Sequence, residues 1–563
     1  MHMKDTARNR QFLLFSLLLT ILFTCPYWSR DFLAIEMDTF FHLARLQSLG
    51  ESIRRLDLYP LVFTSQNGYF GYGSPLFYNN IFLWPFALLY ALHVPLTICY
   101  KLLIEGFTWL SAYTMLHFLY AITNRKRASL LATAIWIFCS YRISDVYVRG
   151  ALGEVLAMAF LPLFLESAYR LLFTEQPAKI QLALSTSALI MSHNLTFAMA
   201  MALLIIFLLV FRDHLTKTKS KDIGKSLLAA FLLTAWFTLP MLEQLYSQKF
   251  YLHYYAASMD LQREALTLSQ FLQYSISFGV GGYGMAQGSA MTLSPGYLLL
   301  CFPFFCKINK QDTFTKFCFF AGLFFTLAPL NLFPWKLLPF LRILQFPWRL
   351  ETIGCLLLAL PCAKGIQYLL QNRKITVFLA VLILGDGMFR LLPACKRTFG
   401  ITSHTPDTFL TDGKLIDPYY SATYMRTQLA GGDYVPIHSP DFRYYQPTIH
   451  TPAGTVLSPI SESRLPAYQF TTAEGGEMIL PITWYKGYCV YQIQNGAEKA
   501  ITTTGSAQGL VQCTIMEPGT YVCRYQATPL TKFSFFLSLF SGLCLIYKYR
   551  RLNPFAKDHL QIL

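Results

Sequence analysis

Phe12-Leu-Leu-Phe-Ser-Leu-Leu-Leu-Thr-Ile-Leu-Phe-Thr-Cys25 runs without a charge into Pro26-Tyr27-Trp28, with Lys4, Arg8 and Arg10 ahead of it. A basic front and an apolar body resemble a secretory signal, but no small-residue cleavage site follows. The aromatic end instead suits a membrane–water boundary, so the run reads as a retained anchor. Similar apolar runs recur as far as Arg390, many close to the ~20 residues that cross ~30 Å of hydrocarbon. Hydrophobic residues make up 54% of the 563 and charged residues 13%. A soluble domain carries roughly 25% charge. The fold class that follows is an α-helical polytopic membrane protein.

The net charge of +16 would suit nucleic acid if it formed one patch. Instead the basic residues cluster at the ends of apolar runs, at 4–10, 125–127, 212–225, 307–316, 373–374 and 548–551. That pattern marks the cytoplasmic side of a membrane and argues against a nucleic-acid partner. About twelve spans then alternate, at 12–25, 101–122, 128–140, 152–173, 180–192, 196–211, 226–245, 293–306, 317–333, 350–370, 375–392 and 533–547. Both termini fall inside. The parity requires the apolar stretch 77–93, which holds Pro85 and lies between Pro75 and Pro95, to rest along the outer interface.

Three regions result: a transmembrane domain over 1–393 with outer-face loops, an extracytoplasmic β-rich domain over 394–530, and a terminal helix with a basic tail over 531–563. In the second, short alternating segments at 478–485, 488–494, 510–515 and 520–526 are separated by Gly475-Gly476, Asn495-Gly496 and Pro518-Gly519. This pattern predicts a small antiparallel β-sandwich. Its aromatics Trp484, Tyr485 and Tyr488 fit a sandwich core better than a sugar-stacking surface. Of the thirteen cysteines, most lie in apolar runs. Cys489, Cys513 and Cys523 could supply one disulfide without defining a framework.

Ionisable residues gather in the outer loops, where charge near a bilayer marks function by default. Glu36-Met-Asp-Thr-Phe-Phe-His-Leu-Ala-Arg45 puts Asp38, His42 and Arg45 on one helix face; an amphipathic interfacial helix would carry the same stripe. Gly68-Tyr-Phe-Gly-Tyr-Gly-Ser-Pro75, with Tyr72, can bring backbone close to a ligand. Tyr141-Arg-Ile-Ser-Asp-Val-Tyr-Val-Arg-Gly-Ala-Leu-Gly-Glu154 packs Arg142, Asp145, Arg149 and Glu154 into one turn, suited to ion pairing or to a site. Leu341-Arg-Ile-Leu-Gln-Phe-Pro-Trp-Arg349 sets Arg342 and Arg349 at a helix mouth, where a guanidinium fork fits phosphate or snorkels to headgroups. His193 and Glu243 also lie near outer helix ends. The chain lacks a Walker motif, a zinc-ligand spacing and a Gly-x-Ser-x-Gly elbow.

The run from Asp38 to Arg45 resembles the first outer loop of GT-C glycosyltransferases, polytopic enzymes that move sugars from polyprenyl-phosphate carriers. Gly71-Tyr-Gly-Ser-Pro75, the 141–154 stretch and Gln345-Phe-Pro-Trp-Arg349 resemble bacterial membrane proteins called pyruvoyl-tetrahydropterin synthase-related, a name without pterin chemistry. Leu480-Pro-Ile-Thr-Trp-Tyr-Lys-Gly487, Asn495-Gly496 and Glu517-Pro-Gly-Thr-Tyr-Val522 resemble the YfhO-type proteins. The resemblance covers nearly the whole chain. It implies a glycosyltransferase of the bacterial inner membrane with its active site on the outer face, and a glycan, lipid or protein acceptor. Asp38 maps onto the family's catalytic or metal-binding carboxylate, although Met37 stands where many members carry a second acid.

On this reading Asp38 is the base and His42 its support. Arg149 and Arg349 are the leading phosphate contacts, with Arg142 and Arg342 in reserve and Glu154 holding Arg149. Arg45, Tyr72, Asp145 and His193 complete the candidate substrate-binding set. A divalent cation such as Mg²⁺ or Mn²⁺ could bridge Asp38 and phosphate. A lipid or polymer transporter, or a non-catalytic assembly factor on the same core, stands as the alternative.

Overall fold

A computed structural model describes residues 2–30, 32–34, 36–67, 70–174, 178–276, 291–395, 400–402, 409–411, 414–416, 432–439, 458–459, 467–494 and 496–552. Most of the twelve apolar runs lie on helices, while 293–306 holds a five-residue helix and a 3-10 turn, and 317–333 outlasts its helix by six residues. In order the elements are His2–Trp28, Leu96–Thr123, Lys126–Ile137, Leu152–Met158 continued by Leu161–Phe173, Lys179–Ser192, Asn194–Val210 and Lys217–Ser247. Then come Tyr297–Cys301 with the 3-10 turn Phe302–Cys306, Thr313–Leu327, Glu351–Leu369, Arg373–Cys395 and Pro529–Leu552. Six helices are long and apolar enough to cross a membrane, by length and composition: Arg8–Trp28, Leu152–Phe173, Lys217–Ser247, Pro347–Leu369, Arg373–Cys395 and Pro529–Lys548. The chain is a helical membrane protein. The stretch 77–93 starts on the last residue of the short helix Ser74–Phe77 and holds the eight-residue helix Trp84–Ala91, about 12 Å long at 1.5 Å per residue, far short of a span. Pro85 sits in its first turn, where a missing N–H costs nothing.

The strands are β1 (Phe32–Ala34), β2 (Gly400–Thr402), β3 (Phe409–Thr411), β4 (Lys414–Ile416), β5 (Ser458–Pro459), β6 (Ala467–Thr472), β7 (Gly476–Thr483), β8 (Tyr488–Gln494), β9 (Ala497–Gly505), β10 (Leu510–Ile515) and β11 (Gly519–Tyr525). The first four form one antiparallel sheet, so the loop after the first helix pairs with the chain just past residue 395. The expected two-sheet sandwich is instead one continuous sheet in the order β5-β6-β11-β8-β9-β10-β7, curled into a half-barrel. The reason is β9. Its first part pairs with β8 and its last residues pair with β10, so one strand carries the sheet around the corner. Apart from Thr503, β9 is exposed or half-exposed, so it lacks the apolar alternation that reveals its neighbours. Asn495 lies outside the described residues, yet Gln494 pairs with Ala497 across it and Gly496 takes φ +77°.

The half-barrel encloses Tyr468, Phe470, Leu480, Ile482, Tyr485, Tyr488, Val490 and Tyr521. Tyr485 and Tyr488 are therefore core, and Trp484 packs beside them. Cys489, Cys513 and Cys523 are free thiols. The sheet docks on the C-terminal end of Lys217–Ser247. There the Gln244 amide donates to Lys486 O (2.7 Å) and accepts from Lys486 N (3.0 Å). Glu243 pairs with Lys486 Nζ at 3.2 Å and accepts from the Thr528 hydroxyl at 2.6 Å.

Within the bundle, Glu351–Leu369 packs against 302–306 at Gly365, where an added Cβ would lie 2.0 Å from the Phe302 carbonyl oxygen. The obstacle is backbone and cannot swing aside. Gly365→Ala should destabilise the protein by about 1–3 kcal/mol through overpacking, read as a lower melting temperature of the detergent-solubilised chain.

Candidate active site

Segments distant in sequence meet around a cavity of about 370 Å³, within the roughly 300–1,000 Å³ of small-molecule sites, and four of them carry the lining residues that the sequence points to. The first begins at Asp38, at the N-cap position of the helix Thr39–Arg54 but with no side-chain capping bond. Glu36 turns back on that helix start, accepting from the Thr39 hydroxyl. It does not line the cavity, so Asp38 faces it without Glu36. The second segment is a π-helical turn, Asp145–Arg149, closed by Gly150 at φ +60°. A Cβ on Gly150 would sit 2.9 Å from Thr39 Oγ1. Its absence lets Asp38 N donate to Arg149 O at 2.8 Å and Met37 N to Val148 O at 3.2 Å.

Glu154, two residues into the helix that follows, is the hub. Its Oε1 accepts from Arg149 Nη2 (2.7 Å) and from Arg349 Nε (3.1 Å), the latter on the third segment. Its Oε2 accepts from the Tyr141 hydroxyl at 2.9 Å and Arg149 Nη1 at 3.2 Å. Arg149 also pairs with Asp145. Arg349 Nη1 donates to Leu344 O at 2.9 Å and to the Gln345 side chain. Its Nη2 has no partner among the described residues. The fourth segment brings His193, which ends one helix and caps the next.

Cavity-lining residues thus include Asp38, His42, Arg149, Glu154, His193 and Arg349 from the sequence-based set. Asp38 is pushed up to about 6 by burial, against the pull of Arg149 and Arg349. Burial lowers His193 to about 4 and moves His42 down as well, Arg45 adding to the latter. Both imidazoles are neutral at pH 7. Arg45 Nη1 lies 3.1 Å from His42 Nδ1 and can only donate, and Thr196 N donates to His193 Nδ1 at 3.4 Å. The His42 ring therefore keeps its proton on Nε2, while His193 Nδ1 also meets Thr196 Oγ1 at 2.8 Å.

The other expected residues lie elsewhere. Arg45 is fully buried and spends its fork on Asn80 Oδ1 (2.7 Å) and Asn79 O (2.8 Å), under the Tyr78 ring at 4.2 Å. It pins the 78–80 loop from behind the cavity. Tyr72 is buried in a bridge with Phe63. Arg142 points into the bundle, near Thr108 Oγ1, Met158 Sδ and the rings of Phe23 and Trp136. Asp145 stands behind Arg149. Arg342 is exposed and lines a separate recess with Lys336 and Asp260, so it corrects to a residue outside this cavity. Their spacing in sequence carries no information about which of several helix faces points to the cavity.

Sequence reasoning missed Asp433 and Tyr434, which join the lining from the C-terminal region. Burial and the nearby Asp38 charge raise Asp433 to about 6. The Gly-Gly pair just ahead of it was the available signal for a turn. Asn79 and Asn194 also line the cavity, and an Asn pair inside the apolar 77–93 stretch was a second cue. Among the described residues, no three His, Cys, Asp or Glu side chains form a metal-ligating group.

Fold and site together define a polytopic helical membrane protein with a carboxylate–guanidinium cavity at one end of its helices. Comparison with protein families finds no match, and neither does comparison with curated proteins. Among solved structures the chain is similar to the arabinofuranosyltransferase AftD from Mycobacteria, at 14% identity and a TM-score of 0.46. The match covers 70% of this chain and 27% of that one.

Breaking the hub should be costly, because two guanidiniums would lose their shared counter-ion in a buried place. Glu154→Ala is expected to destabilise the protein by roughly 3–5 kcal/mol. Thermal unfolding in detergent reads it, and Glu154→Gln should recover part of the loss.

Proposed function

We propose that the chain is a membrane glycosyltransferase of the GT-C type, moving a sugar from a polyprenyl-phosphate carrier to a glycan, lipid or protein acceptor. The observation that carries this reading is the shared cavity. Asp38, whose carboxylate has no internal partner among the described residues, lines it together with Arg149 and Arg349. Asp38 takes the proton of the acceptor hydroxyl, and the acceptor oxygen bonds to the sugar's anomeric carbon. The bond from that carbon to phosphate breaks, its electron pair leaving with the phosphate. Arg349, through its unpaired Nη2, donates to the growing charge; Arg149 holds Glu154, which aims Arg349. His42, with its proton on Nε2, serves as a donor, and His193 lines the cavity near it.

A divalent cation, Mg²⁺ or Mn²⁺, fits the donor set if Asp38 holds it with substrate phosphate and water, the usual arrangement for Mg²⁺. It would neutralise phosphate charge. The proposal also places twelve crossings in a bacterial inner membrane, both termini inside and the cavity outside. Helix polarity supports this. Lys217–Ser247 begins in the basic cluster 212–225 and reaches the cavity at Met241 and Leu245. Glu351–Leu369 leaves Arg349 and ends before Arg373-Lys374.

Glycan profiling of a deletion strain tests the reading. Loss of one envelope glycan, restored by wild type but not by Asp38→Asn, is expected, with the lipid-linked donor accumulating. A base of this kind contributes roughly 10²–10⁴-fold. Restoration by Asp38→Asn would favour a transporter or assembly factor.

The pH profile is a separate check. Asp38 is raised to about 6, so it is protonated below that value and competent as a base above it. The rate of the reconstituted protein should climb with pH through about 6, well above the limb near 4 that an ordinary carboxylate would give.

A further inference from the structure

Residues 432–439 form a strap that closes one wall of the cavity from outside the helical bundle. Its backbone is fixed on three sides. Leu252 N donates to Asp433 O at 2.9 Å, Tyr251 N to Val435 O at 2.9 Å, and Ile437 N to Lys249 O at 3.0 Å. The Tyr485 hydroxyl of the half-barrel donates to Tyr434 O at 2.8 Å. The Tyr434 ring stacks on Phe77 of the first outer loop, centroids 5.0 Å apart and planes 2° from parallel. Among the described residues the Asp433 carboxylate makes no hydrogen bond and no ion pair, although Asp38 and Arg349 are its charged neighbours.

A carboxylate whose backbone is held so firmly, and whose oxygens are left open to a cavity, is placed for a ligand. Two ionised carboxylates, Asp38 and Asp433, repel an anion approaching their side of the cavity. They accept readily from neutral hydroxyls, up to two lone pairs on each oxygen. Tyr434, Phe41, Phe77 and Tyr78 give the same cavity apolar ring surface, which suits the C–H face of a sugar. Among the described residues, Asp433 and Tyr434 are the cavity-lining residues that the C-terminal region supplies.

We propose that Asp433 and Tyr434 form the acceptor subsite of the cavity, and that it takes the vicinal hydroxyls of a neutral sugar. This rests on the transferase reading for the word acceptor, but the binding itself does not. The strap hands the C-terminal domain a direct part in recognition: it brings a carboxylate beside the base on Asp38.

Hydrogen–deuterium exchange of the full chain in nanodiscs tests the binding. Neutral methyl hexosides and pentosides are the probes, with methyl uronates as anionic controls. The neutral glycosides should slow exchange at 432–439 and 249–252, the uronates at least ten-fold less effectively at equal concentration. Asp433→Asn, which leaves every backbone bond of the strap intact, should weaken the protection at least ten-fold. Equal protection by uronates, or an unchanged response in Asp433→Asn, overturns the proposal. With lipid-linked sugars extracted from the parent membrane as donors, Asp433→Asn should raise the acceptor KM at least ten-fold more than the donor KM. An altered Mg²⁺ requirement with the acceptor KM unchanged would overturn it instead, making Asp433 a metal ligand. Protection without transfer from any lipid donor would sink the transferase reading and leave the sugar subsite standing.

Discussion

One carboxylate shared by two guanidiniums holds the site together. Charge away from water is tolerated when paired and fully hydrogen-bonded, and Glu154 satisfies both conditions with Arg149, Arg349 and the Tyr141 hydroxyl. The π-turn 145–149, the start of Leu152–Phe173 and the 345–349 turn are thereby locked to one another across almost two hundred residues of chain. The lock decides what each arginine can do. Arg149 is satisfied by Glu154, Asp145 and Tyr141, so it serves mainly as scaffold. Among the described residues, Arg349 keeps one end of its fork free.

The same economy divides the labour of the helix Thr39–Arg54 and its N-cap. Asp38, His42 and Arg45 share a face, as their spacing requires. Only the first two reach the cavity, because Arg45 is drawn under Tyr78 and into the carbonyls of residues 78 and 79. That contact fixes the loop whose Tyr78 and Asn79 line the cavity, and it fixes the His42 tautomer. A cation can thus shape a site while touching none of its contents. Gly150 plays a comparable part, since the backbone contact that positions Asp38 needs a residue with no side chain.

Much of this architecture was legible because hydrophobic length and basic punctuation are local signals. The apolar helices, the short helix that starts at Pro85 and four of the half-barrel strands follow from them. Strand β9 did not, because its mostly exposed residues give no alternation. Neither did the sheet's closure, which is a property of how one strand is shared. Within the site, Asp38, Arg149, Glu154 and Arg349 stood out as charges near helix ends. Arg142 stood out for the same reason and packs instead among Phe23, Trp136 and Met158. Spacing names a face of a turn, and only packing says what that face meets. Asp433 lies on a strap whose position depends on residues 249–252 and on Tyr485, contacts no local pattern encodes.

Charge balance then constrains any chemistry on phosphate. The lining holds three carboxylates, Asp38, Glu154 and Asp433, against two guanidiniums, Arg149 and Arg349. With every group ionised the cavity carries one negative charge before a substrate enters. A sugar phosphodiester adds one more, and its cleavage leaves a phosphate with a second. In the proposed transfer Asp38 becomes neutral as it takes the acceptor's proton, at the moment the leaving phosphate gains charge. The carboxylates then number two against two guanidiniums, and the cavity no longer opposes the departing group. Proton transfer and bond cleavage are tied by electrostatics, because the carboxylate and the leaving phosphate share one cavity. The position of Asp38, outside any ion pair among the described residues, is what makes this possible, since an acid locked in an ion pair could not give up its charge at that step.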